Sequence, residues 1–66
     1  MELKKVYAKF KANHPLSDDE LNYLIVELEN LEGTLECLGV EYRITVNAIR
    51  QDVICLKSYQ FHRKFR

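Results

Sequence analysis

The sequence predicts an all-α chain, an antiparallel helical hairpin with a short N-terminal amphipathic helix, forming a helical bundle on dimerisation. Three observations carry this. Leu21, Leu24, Leu28, Leu31, Leu35 and Leu38 recur at steps of three, four, three, four and three, which places them on one face of a helix. Tyr42, Val46, Ile49, Val53 and Leu56 recur at steps of four, three, four and three. If the two series run antiparallel from a turn at Gly39 and Val40, facing positions sum to 80 or 81 on every rung, from Leu38 with Tyr42 through Leu35 with Val46 to Leu24 with Leu56.

A chain of 66 residues is one small domain, 1–66, whose core supplies only a few kcal/mol, about 3–5 at this size. Helices are expected over about residues 2–12, 18–38 and 41–62, followed by a basic tail over residues 63–66. Leu3, Val6, Tyr7 and Phe10 have the i, i+3, i+4, i+7 spacing of an amphipathic helix, with lysines mostly on the other side. At about three turns it is ordered only by packing.

Asn13, His14 and Pro15 end this first helix, because proline lacks an N–H and disfavours helical geometry in the residue before it. Ser17 is a good N-cap, Glu20 completes a capping box, and Leu16 can staple onto Leu21. Asp18, Asp19 and Glu20 in the first turn suit the positive end of the helix dipole. The L-S-D-D-E-L stretch is therefore a cap, not a site, and caps of this kind recur in unrelated helical proteins. Gly39 is expected to stop the second helix as a C′ residue in a Schellman ending, with Val40 touching Leu35. Gly33, inside that helix, costs about 1 kcal/mol relative to alanine. It either permits close approach of a neighbour or has no structural role.

Residues 40–46 are ambiguous. Val40, Tyr42, Ile44 and Val46 alternate with polar residues as a strand would. A lone strand in so short a chain has no partner, and the constant sum favours a helix. The hairpin keeps Cys37 at the turn and Cys55 about 18 Å away along the third helix at 1.5 Å per residue. That is too far for an internal disulfide, so both read as small apolar packing residues. Leu31→Asp, placing a charge mid-seam, is expected to unfold the hairpin.

The formal net charge is zero, but the charges are segregated. Residues 3–16 hold Lys4, Lys5, Lys9 and Lys11 and no acid, while residues 18–41 hold eight acids and no Lys or Arg. From Arg43 onward there are six bases and the single acid Asp52. The hairpin sets the acidic helix beside Arg43, Arg50 and Lys57, so opposite charges flank the seam.

No Gly-rich phosphate loop is present. His14 and His62 have no Cys, Ser or carboxylate at a spacing that marks a general base or nucleophile pair. Neither C-x-x-C nor H-x-x-x-H occurs, so catalytic residues, cofactors and metals are all expected to be absent. No secretory signal or long apolar run is seen, which points to the cytoplasm and reduced cysteines; the size is that of many small bacterial and phage proteins.

Apolar residues in excess of the seam call for cover by a second protein, another copy of the chain or both. The expected partner-binding residues are Tyr7, Phe10, Tyr23, Ile25, Val26, Tyr59, Phe61 and Phe65. The expected basic patch, where both termini meet, is Lys4, Lys5, Lys9, Lys11, Lys57, Arg63, Lys64 and Arg66. The function these features suggest is a non-enzymatic regulator or inhibitor that binds another protein, with a homodimer expected and no membrane partner. The alternative is a nucleic-acid-associated regulator using the basic, aromatic end.

Overall fold

The computed structural model describes residues 2–65, and these form an all-α fold. The elements are α1 (Leu3–Lys11), α2 (Asp18–Leu38), a short 3-10 turn (Val40–Tyr42) and α3 (Arg43–Lys64). Residues 40–46 contain no strand: the chain passes through the 3-10 turn directly into α3. The third helix continues past His62, so Arg63 and Lys64, expected in a tail, belong to its last turn, Phe65 is its C-cap, and Arg66 lies outside the described residues.

Packing between α2 and α3 dominates, and α1 lies against α2 at the open end of the hairpin. Leu21, Leu24 and Leu56 are the most deeply buried large side chains, and Ile25, Leu28, Ile49 and Val53 join them in one cluster with Val6 of α1 and Leu16 of the connecting loop. From Leu21 to Leu28 the seam is therefore closed within the chain. Removing this apolar surface from water, at about 25 cal/mol per Å², is the main stabilising term.

The seam is not closed along its whole length. Leu31 is 38% exposed and Leu38 58%, because α1 has nine residues against 21 in α2 and its contribution stops short of the turn. This corrects the expectation for Leu31→Asp: a carboxylate there retains water and does not become a buried unpaired charge. The exposed partner of Leu38 on the first rung, Tyr42, lies in the 3-10 turn and has left the α3 register.

The α2 cap forms as expected. Ser17 Oγ accepts from the Glu20 N–H at 3.1 Å, and the Ser17 N–H donates to Glu20 Oε1 at 3.1 Å. The Schellman ending, however, is at α1 and not at Gly39. Asn13 adopts the left-handed conformation, φ 61°. The His14 N–H donates to the Lys9 carbonyl at 2.9 Å, and the Asn13 N–H to the Phe10 carbonyl at 3.1 Å. These are the 6→1 and 5→2 bonds of that motif, with Pro15 just beyond to prevent continuation. Gly39 instead has φ 131° and ψ 176°, a region open essentially to glycine alone. This turns the chain sharply and leaves Val40 82% exposed, with little of its side chain available to cover Leu35.

Candidate protein-interaction surface

The expected partner-binding residues separate into two groups. Tyr7, Phe10 and Tyr23 are partly buried and pack against the core cluster. Ile25 is only 5% exposed. It cannot be an accessible docking residue in this fold, a correction that arises because the buried stripe of α2 is wider than the leucine heptad. Val26, Tyr59, Phe61 and Phe65 are exposed.

Tyr7 has a structural task. Its hydroxyl donates to Asp52 Oδ2 at 2.7 Å, and Lys11 Nζ donates to Asp52 Oδ1 at 3.0 Å. The one acid of the C-terminal basic block thus holds α1 onto α3. Burial, followed by the bond to Asp52, raises the Tyr7 phenol above its ordinary pKa; the same carboxylate raises the Lys11 ammonium. Lys11 also sits 5.3 Å from the Tyr7 ring centroid and 5.5 Å from that of Phe10, within cation–π range.

The basic patch is largely neutralised by its own chain. Lys5 lies 3.7 Å from Glu2, Lys9 2.8 Å from Glu20, Lys57 3.4 Å from Glu29 and Arg63 2.9 Å from Asp18, in addition to the Lys11–Asp52 pair. Lys4 and Lys64 have no partner among the described residues, and Arg66 lies outside them. On the neighbouring flank Arg50 bridges two acids of α2, with Nε 2.7 Å from Glu32 Oε1 and a further bond to Glu36. Glu20 is held below the ordinary carboxylate pKa, chiefly by its bond from Lys9 and then by the Ser17 backbone. Most of these pairs are exposed and individually worth about 0–1 kcal/mol. Their greater effect is to reduce the positive field at the open end.

Two clefts open at that end. One, of about 350 Å³, lies between the α1–α2 loop and α3, with Phe10, His14, Tyr59, His62 and Arg63 on its walls. The other is a shallow groove between the start of α2 and the Phe61, Lys64 and Phe65 side chains. Among the described residues no three His, Cys, Asp or Glu side chains converge where a metal ion could be held. Cys37 and Cys55 are free and exposed, which corrects the expectation that they serve as small apolar packing residues. Among the described residues no helix is long and apolar enough to cross a membrane.

Four exposed apolar residues line one side of α3. Ile44 is 85% exposed, Ile54 56%, Phe61 59% and Phe65 70%. At about 100° per residue these four fall within a wedge of about 100°, well away from the face formed by Val46, Ile49, Val53 and Leu56 that is buried against α2. The Phe61 and Phe65 rings are in contact, with centroids 4.7 Å apart. In the sequence each of these residues is recognisable as lying outside the main register. Their alignment is harder to see, because α3 carries apolar residues on two faces and the two periodicities partly cancel.

The fold and surface define a small helical hairpin with an uncovered amphipathic face. Comparison with protein-family models, curated proteins and solved structures found no match.

Proposed function

We propose that this chain is a small non-catalytic interaction module that acts by docking on another protein through the outer face of α3, and so regulates or inhibits it. The observation that carries this reading is the alignment of Ile44, Ile54, Phe61 and Phe65 on one exposed helical face. Aligned exposed apolar residues of this kind suit a protein contact, and an amphipathic helix face suits association with a groove or another helix. The compartment proposed is the cytoplasm, where Cys37 and Cys55 stay reduced.

The test is capture of a partner from an extract of the cells that make the protein, comparing the unaltered chain with Phe61→Ala/Phe65→Ala and with Val26→Ala on α2. Loss of capture for the α3 variant alone, with helicity unchanged in both, supports the reading. Capture unaffected by the α3 variant rejects it. The nucleic-acid alternative draws on Lys64 beside the paired Phe61 and Phe65 rings. It requires retention on single-stranded nucleic acid that falls steeply with salt.

A further inference from the structure

We infer that the outer face of α3 is the seam of a parallel homodimer. This rests on the reading that the face is a docking surface, and it names the occupant as a second copy of the chain. Ile44, Asn47, Gln51, Ile54, Ser58, Phe61 and Phe65 follow one another at steps of three, four, three, four, three and four, and all seven are exposed. This is a second heptad comb on a helix whose first is closed against α2, and such a comb is covered by a helix of matching period.

Composition favours a copy of the same chain. In a parallel pair every seam residue meets itself. The Ile44, Ile54, Phe61 and Phe65 layers are apolar throughout, and the Asn47, Gln51 and Ser58 layers pair amide with amide and hydroxyl with hydroxyl. A shift of one heptad sets Ile44 against Gln51 and Asn47 against Ile54, burying polar groups without partners. Polar seam layers specify register in this way. An unrelated, wholly apolar helix incurs the same penalty at Asn47 and Gln51.

Charge favours the parallel orientation. Arg43, Arg50, Lys57 and Lys64 each precede a seam residue and form a cationic ridge along one flank. Ala48, Cys55 and His62 form the other flank. Antiparallel pairing sets ridge against ridge, whereas parallel pairing sets each ridge against the partner's Ala48, Cys55 and His62 flank. Arg50 and Lys57 are already bound to Glu32, Glu36 and Glu29 of their own chain, so the ridge-to-ridge repulsion that disfavours the antiparallel pair comes mainly from Arg43 and Lys64.

The seam from Ile44 to Phe65 is about 31 Å long at 1.5 Å per residue. A single helix-to-helix contact of that length has a footprint of a few hundred Å², below the roughly 800 Å² per partner of a standard stable interface. The dimer is accordingly reversible and concentration-dependent.

The experiment uses the full chain with Cys37→Ser and Cys55→Ser, carrying either Ser58→Cys or, as a control on the outer face of α2, Asn30→Cys. A parallel seam brings the two 58 positions within the approximately 7 Å that a disulfide spans. Antiparallel pairing of the same seam separates them by about 10 Å or more along the axis. The expected result is a covalent dimer that forms several times faster from Ser58→Cys than from Asn30→Cys, and is suppressed by adding Ile54→Asp. Sedimentation equilibrium of the unaltered chain should show mass rising with concentration.

Crosslinking at 58 no faster than the control, or crosslinking confined to a mixture of Gln51→Cys and Ser58→Cys chains, overturns the parallel seam. A chain that is monomeric at all concentrations overturns the dimer. If Ile54→Asp, folded by circular dichroism, still loses capture of a different protein, the docking reading survives that result; if capture is also unchanged, both fall.

Discussion

The Tyr7 hydroxyl donates to Asp52 at 2.7 Å across 45 positions of sequence, and Lys11 binds the other oxygen of the same carboxylate. The backbones of α1 and α3 do not approach closely, so these side chains are the polar link between the first helix and the third. Tyr7→Phe is expected to cost about 1 kcal/mol, and Asp52→Ala, which releases both donors, about 1–3 kcal/mol. A double-mutant cycle between Tyr7 and Asp52 in urea should give a coupling energy clearly different from zero. Additive effects would show that the bond contributes nothing to stability.

The same contact makes the fold sensitive to alkali. Tyr7 and Lys11 both have folded pKa values raised above the ordinary ones, near 10 and 10.4. A raised value contributes stability that is complete below the unfolded pKa and disappears as pH climbs through the folded one. The stability difference between the unaltered chain and Tyr7→Phe should therefore be constant through neutral pH and shrink above about pH 10. Denaturant midpoints across that range provide the check.

At the acid end the sensitive group is Glu20, whose folded pKa is lowered, first by Lys9. Its contribution is present above the ordinary carboxylate value, about 4.3, and is lost as pH falls through the lower folded value. Glu20→Gln retains an acceptor for the Ser17 N–H but carries no charge. Its acid unfolding curve should consequently be flatter than that of the unaltered chain below about pH 4.3. Ser17→Ala, which removes the other half of the box, should cost about 1 kcal/mol at neutral pH.

Helical Gly33 and the two positive-φ positions, Asn13 and Gly39, should respond in opposite directions. A Cβ added at Gly33 meets nothing within 4 Å, so no neighbouring helix depends on its absence, and Gly33→Ala should stabilise by about 1 kcal/mol. Gly39→Ala should destabilise, because φ 131° is unfavourable for any residue with a Cβ. Asn13→Ala should cost about 1–2 kcal/mol, because asparagine tolerates the left-handed conformation and alanine does not. Thermal unfolding of the three variants separates these cases.

Core truncations should report how far the leucine seam is closed. Leu24→Ala is expected to cost about 2–5 kcal/mol, since it opens a cavity at a position with no solvent access. Leu31→Ala, at 38% exposure, should cost well below that range, because the site is already wet. Equal losses would mean that something covers the turn end in solution.

The boundary of α2 was legible in the sequence because a capping box is a local device whose donors and acceptors lie within four residues. The packing of α2 on α3 was legible because helical periodicity puts Leu21, Leu24 and Leu28 on one face of α2 and Val46, Ile49, Val53 and Leu56 on one face of α3, and these are buried. The site was less so. Phe61 and Phe65 were identifiable as surplus to the core, but Tyr7, Phe10 and Ile25 are equally apolar and the fold uses them internally. Segregated charge blocks likewise suggested a basic end, whereas folding brings Glu2, Asp18, Glu20, Glu29 and Asp52 beside its cations.

By itself, then, the sequence determined the all-α class, the starts and stops of the helices to within a few residues, and the pairing of α2 with α3. All of these follow from interactions local along the chain or repeated at a fixed period. Only the tertiary structure decided that α1 is held by Asp52, that the turn end of the leucine seam remains open, and that the uncovered apolar face runs along α3. Those depend on which groups compete successfully for the same space, a comparison between residues distant in sequence that no local pattern encodes.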